Sequence, residues 1–218
     1  MGGAGVPLRE LGLVLLVAAA ITYLLTGVVR TALVRTGRVA EIRKRDVHTQ
    51  PTPSVGGLAM FTGLVCALFL AQQLPALTRG FAPVTPEMTA VFAGASGIVI
   101  LGIIDDLYEL GAVVKLCGQL LVAGLMSFLG LVFTVFYVPF GEGTTLILDQ
   151  VQGMLLSAFF TVLIINAVNF VDGIDGLAAG LGMIAGGAIL LFSLTVLHDQ
   201  GGAFSAYPPA IICSVLVG

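Results

Sequence analysis

Charge is what this 218-residue chain has least of: Lys, Arg, Asp and Glu together make up 10% of it, and the formal net charge is only −3. A soluble domain carries about 25% charged residues, so a soluble architecture is excluded. Basic clusters with interleaved aromatics are absent, which removes nucleic acid as a partner. Only three cysteines occur, Cys66, Cys117 and Cys213, each inside an apolar run. There a thiol behaves as a small hydrophobe, and an odd count in such places describes no disulfide framework. The first apolar run lacks a compact basic start and a small-residue cleavage site, and it is longer than the apolar core of a signal peptide, so it is expected to be a true helix.

What the chain does have is apolar length. Hydrophobic residues make up 58% of it and the mean hydropathy is +1.10. A bilayer core asks for roughly 17 to 25 apolar residues per spanning helix. Runs of that kind predict spans over 11–33, 55–74, 88–104, 113–131, 151–169 and 177–197, and a last one starting near Pro208. The expected fold is an all-α polytopic membrane protein with six complete transmembrane helices and part of a seventh, in a single membrane domain, 1–218.

Arg35, Arg38, Arg43, Lys44 and Arg45 fall in the first break, five of the nine basic residues of the chain. The positive-inside rule turns that break to the cytoplasm and leaves the N-terminus outside. By parity the breaks near 105–112 and 170–176 also face the cytoplasm, and those near 75–87, 132–150 and 198–207 face outward. The three polar stretches "RKRDVHTQPTPSVGG", "GIIDDLYELGAVVK" and "NAVNFVDGIDGL" thereby share one membrane face. Among the outward breaks, "FYVPFGEGTTLILD" alternates β-forming residues about a Gly-Glu-Gly turn. It is expected to form a small outer β-hairpin near 133–149, with Phe136 and Tyr137 at the interface.

Each polar stretch has a structural and a chemical reading. Asp105 and Asp106 close the third span, where acids survive because they reach water. Yet a helix C-terminus disfavours acids, and no basic residue lies close in sequence to compensate them. Adjacent helical residues point apart, so if both serve one site, either the backbone leaves the helix there or one acid supports the other. Lys115 either snorkels to the headgroups or meets a phosphate. Asp172 is placed to cap the sixth helix, with Asp175 in its first turn. Asn166 and Asn169 before them and Gly173 and Gly176 around them make the same stretch suited to a nucleotide or a metal-bound diphosphate. His48 is a solvated loop residue or a substrate contact. Gly56, Gly57, Gly63 and the glycines of "GLAAGLGMIAGG" are read as helix packing.

Together, "DVHTQPTPSVGGLAMFTG", "GIIDDLYELGAVVKLCGQ" and "NAVNFVDGIDGLAAGLG" resemble the polyprenyl-phosphate N-acetylhexosamine-1-phosphate transferase family, and the resemblance covers nearly the whole chain. Outside these motifs, "GAGVPLREL", "QLPALTRGF" and "YPPA" are similar to its actinobacterial, decaprenyl-phosphate-using branch, which starts the linker between peptidoglycan and arabinogalactan. The resemblance implies attack of a lipid phosphate oxygen on the β-phosphorus of UDP-N-acetylglucosamine, with UMP leaving and Mg²⁺, or Mn²⁺, required. It implies catalytic roles for Asp105 and Asp106. It places Lys115 near the diphosphate, and Asn166, Asp172, Asp175 and His48 around the substrate. Asn169 and Asp106 become metal ligands. It further implies a multi-pass protein of the plasma membrane with its active face cytoplasmic, and dimers occur in the family. Family members continue through further spans that supply another metal-binding Asp and a His- and Arg-rich loop. The chain stops at Gly218, before either, and is therefore expected to be the N-terminal part of a transferase. Two rivals remain: a catalytically incomplete fragment, and a transporter, which would place its ionisable groups near mid-span.

Overall fold

The computed structural model describes residues 7–36, 56–78, 86–138, 144–172 and 176–218. In chain order its elements are α1 (Leu8–Thr36), α2 (Gly56–Gln73), α3 (Pro86–Tyr108), α4 (Ala112–Phe128), β1 (Val135–Val138), β2 (Thr144–Ile147), α5 (Gln150–Val171), α6 (Leu177–Phe192) and α7 (His198–Val217). Helices dominate because apolar segments in lipid must satisfy their backbone groups internally. The hydroxyls within them do likewise: Thr31, Thr62, Thr161 and Ser193 each donate to the carbonyl four residues earlier.

Among the described residues, five helices are long and apolar enough to cross a membrane: Leu8–Ala32, Gly56–Gln73, Met88–Tyr108, Gln150–Val171 and Leu177–Val196. α4 falls just short at 17 residues, a length of roughly 26 Å at the α-helical rise. The all-α polytopic expectation stands, while three boundaries move. The third helix continues past residue 104 to Tyr108, and α5 extends to Val171. The break expected near 198–207 is helical backbone: a π-helical stretch, Ser193–Leu197, follows α6 and α7 begins directly at His198. Hydropathy marks where a membrane ends; it does not mark where backbone hydrogen bonding ends.

The chain forms two compact units. One comprises Met1–Pro83 with Asp172–Gly218, and its helices meet through small residues. Ala18, Ala59, Ala67, Ala71 and Ala210 are buried there, and Gly63 of α2 lies against Thr22 and the Ala18 carbonyl of α1. The end of α7 returns both to α6, where Cys213 and Val217 flank Gly186, and to α1, where Gly218 meets Leu15 and Ala18. The packing role expected for the glycines therefore holds at Gly63 and Gly186. Among the described residues nothing packs against Gly56, Gly57, Gly180, Gly182 or Gly187.

The other unit, Val84–Val171, carries α3, α4, the strands and α5. α3 and α4 form an antiparallel hairpin whose seam is a ladder of glycines, each facing a larger side chain of the other helix. Gly94 faces Met126, Gly97 faces Val122, and Gly118 faces Leu101. A Cβ on Gly97 would lie 2.9 Å from Val122 Cγ2, so the Val122 side chain packs directly on the α3 backbone, as glycine permits. The expected hairpin is present, with β1 and β2 antiparallel and Val135 opposite Ile147; its Gly-Glu-Gly turn lies outside the described residues. Ser157 anchors the approach to it, accepting from the Phe133 N–H at 2.7 Å and donating to the Gly153 carbonyl at 2.8 Å. Phe133 also stacks edge-on against Phe160.

Candidate active site

The α3–α4 ladder fixes more than packing, because its next rung toward the connecting turn is an ion pair. Lys115 Nζ donates to Asp105 Oδ2 at 2.7 Å, with the two side chains 31% and 24% exposed. Both acids of the pair belong to the last turn of α3, which Glu109 closes with φ 48 while its N–H donates to the Asp105 carbonyl at 2.8 Å. α4 starts at an N-cap, Gly111, and the Lys115 N–H donates to the Gly111 carbonyl.

Each charge of the ion pair occupies the helix end that the macrodipole disfavours: an acid at the C-terminus of α3, a cation in the opening stretch of α4. Pairing them offsets both mismatches. The compensation that appeared missing near Asp105 is thus supplied by Lys115, ten residues on. Because the helix does not break at the acids, Asp106 points about 100° away from Asp105 and is exposed. The two acids are therefore unequal: one is tied to the lysine, the other faces outward.

One turn beyond Lys115 on α4, Gln119 is 2% exposed and receives a hydrogen bond from Asn166 of α5 at 2.7 Å. The same Asn166 Nδ2 donates to the Val162 carbonyl at 2.8 Å. Asn169, three residues further along α5, is exposed. α4 thus grips both neighbours, α3 through Lys115 and α5 through Gln119. The unit brings together Asp105 and Lys115, and it holds Asn166 through a residue with no role assigned from sequence. Gln119 did carry a signal, since a glutamine in an apolar helix one turn from a lysine needs a buried partner.

Asp172 is an exposed turn residue following α5 and belongs to the first unit. It does not cap α6. The N-cap is Gly176, left-handed at φ 76, and the first turn of the helix holds no acid. Asp175 and His48 lie outside the described residues. Glycine takes that backbone conformation without a steric penalty, and it ends the capping role expected of Asp172. Among the described residues, no group of three or more His, Cys, Asp and Glu gathers as a metal cage. The apolar cleft between β2 and α5, bordered by Ile147, Leu155 and Phe159, contains no ionisable group.

Apolar helices of membrane length, with a lysine–aspartate pair where two of them turn, define the class as a multi-pass membrane protein. The family model for glycosyl transferase family 4 matches residues 88–218, and the chain belongs to that family. It is 53% identical over 216 residues, 99% of its own length, to the decaprenyl-phosphate N-acetylglucosaminephosphotransferase of Mycolicibacterium smegmatis, covering 53% of that protein. The protein of the same name from Mycobacterium leprae is 50% identical over 99% of the chain and 54% of its own length. A probable undecaprenyl-phosphate N-acetylglucosaminyl 1-phosphate transferase of Bacillus subtilis is 35% identical over 87% of the chain and 53% of its own length. The chain spans about half the length of these curated relatives.

Proposed function

We propose that Asp105, Asp106, Lys115, Asn166 and Asn169 form part of the active face of a Mg²⁺-dependent phosphoglycosyl transferase. It moves N-acetylglucosamine 1-phosphate from UDP-N-acetylglucosamine to a polyprenyl phosphate, with decaprenyl as the carrier. The reaction takes place at the cytoplasmic face of the plasma membrane and starts the linker that bears arabinogalactan. The observation that carries this reading is the Lys115–Asp105 contact one helical turn from the Gln119–Asn166 contact. The names of the relatives support polyprenyl phosphate and N-acetylglucosamine as the chemistry.

Phosphoryl transfer needs alignment and charge neutralisation more than a strong base. A lipid phosphate oxygen attacks the β-phosphorus of the donor, and a new P–O bond forms as the bond to the oxygen bridging the two phosphorus atoms breaks. UMP departs, and the lipid is left carrying the sugar on a diphosphate. Asp106, the exposed acid, takes the proton of the attacking phosphate. Asp105 holds the Lys115 ammonium and occupies one of its three N–H donors, which leaves two for diphosphate oxygens. Asp172, Asp175 and His48 complete the substrate contacts in this reading.

Hard oxygen donors suit Mg²⁺ or Mn²⁺, and the exposed Asp106 carboxylate and Asn169 carboxamide are of that kind. They are the residues that would hold the ion, which supplies charge neutralisation on the diphosphate when bound.

The test uses background-suppressed membranes containing decaprenyl phosphate, labelled UDP-N-acetylglucosamine and Mg²⁺. The chain is assayed as it stands and also extended with the C-terminal half of a relative. Label is expected in the lipid extract in at least the extended arm, lost on Asp106→Asn. No transfer in either arm overturns the reading.

A further inference from the structure

Gln119 is a polar side chain in an apolar helix, buried to 2% exposure, and its one partner above is an exposed residue of the neighbouring helix. The direction of that hydrogen bond is fixed by chemistry. The Val162 carbonyl can only accept, so the Asn166 atom 2.8 Å from it is the amide nitrogen. The same nitrogen lies 2.7 Å from Gln119, so the facing Gln119 atom is its oxygen. A carboxamide nitrogen has two hydrogens, and here the Val162 carbonyl and Gln119 Oε1 take one each. What Asn166 has left is Oδ1, an acceptor.

The geometry points to Gln119 as a positioning residue for donor binding: by consuming the second amide hydrogen of Asn166 it makes Asn166 acceptor-only. Asn166 then recognises a hydroxyl or N–H of a nucleotide and does not bind phosphate oxygens. This rests on the transferase reading above and divides the labour within it. Lys115, a pure donor, answers the anionic part of the ligand, and Asn166, a pure acceptor, answers the nucleoside part. Without Gln119 the second amide hydrogen of Asn166 is released while the Val162 bond still holds the amide, so Asn166 can donate as well as accept and its discrimination between the two is lost.

The test is binding by the full chain in detergent at fixed Mg²⁺. UDP, which has ribose hydroxyls and a uracil N–H, is compared with inorganic pyrophosphate, which has neither. Gln119→Leu is expected to weaken UDP about tenfold, the worth of one hydrogen bond, with pyrophosphate affinity and melting temperature unchanged. Gln119→Glu keeps an accepting oxygen at the same reach and is expected to restore UDP binding. On an Asn166→Ala background Gln119→Leu is expected to cost nothing further. Gln119→Met serves if the leucine variant does not fold.

Unchanged UDP affinity, or equal loss for both ligands, overturns the positioning role and leaves the transferase reading intact. Failure to bind either ligand even by the chain extended with the C-terminal half of a relative removes the transferase reading, and this inference with it.

Discussion

Two connections of the chain carry acids beside glycine and are built in opposite ways. At the α3–α4 turn, an acid in the last turn of one helix is held by a lysine in the next, and the register that brings them together comes from the glycine ladder between the helices. At the α5–α6 connection the N-cap of α6 is Gly176, whose left-handed backbone opens the helix. The first is a tertiary device and the second a local one. Acids spaced like caps need not cap, and an acid that looks uncompensated in sequence can be compensated by packing.

The largest effect expected from this contrast is within the acidic pair itself. Asp106, exposed, is assigned the proton transfer, and general base groups contribute about 10² to 10⁴ in rate. Asp105, tied to Lys115, supports through that lysine. Asp106→Asn should therefore abolish lipid labelling to that extent in the extended enzyme, while Asp105→Asn, which can still accept from Lys115, should cost about tenfold, the worth of a weakened hydrogen bond. Equal losses for the two variants would show that the pair acts as one unit and that the ion pair does not separate their roles.

Next in size is the ladder. Gly97→Leu drives a side chain into Val122, whose branched Cβ cannot swing aside. Overpacking of this kind costs about 1 to 3 kcal/mol. Gly102→Leu, on the same helix but facing open space, should leave stability unchanged or raise it, since leucine is the better helix former. Denaturant unfolding in detergent separates them. If both variants unfold alike, the close approach of α3 and α4 is not what sets their register.

At the other connection, Gly176→Ala should cost about 1 to 2 kcal/mol, the penalty for a side chain in the left-handed region at φ 76. Asp172→Ala should change thermal stability by no more than about 0.5 kcal/mol, as for an ordinary exposed residue. The opposite ranking would return the cap to Asp172.

The helices and the hairpin were legible because hydropathy and turn chemistry are local. α1, α2 and α5 appear within a few residues of their apolar runs, and the strands flank the Gly-Glu-Gly turn. The polar run after Leu197 separates two apolar stretches as expected, yet its backbone is helical, because polarity does not stop a helix. Asp105, Asp106 and Lys115 were recognisable as candidates from their type and place. Their division into a tied and an outward acid was not legible, because it depends on α3 continuing to Tyr108 and on which rung of the ladder meets which. Gln119 was passed over for a related reason: its partner, Asn166, is 47 residues away, and no local pattern joins them.

The smallest effect concerns the ion pair as a source of stability. Its geometry is good at 2.7 Å, and each side chain is still about a quarter to a third exposed. Partly solvated pairs of this kind are worth about 0.2 to 1 kcal/mol, and the two helix-end mismatches it offsets are each of similar size. A double-mutant cycle with Asp105→Asn and Lys115→Met, read by unfolding in detergent, should therefore give a coupling of about 1 kcal/mol that shrinks as salt is added. Turnover by Lys115→Met should fall much further than that coupling implies, because the variant also removes the cation that meets the diphosphate. A coupling near 3 kcal/mol, insensitive to salt, would describe a buried pair whose loss strands a charge. In that case the Lys115 donors would be committed to the fold, and the diphosphate would need another cation.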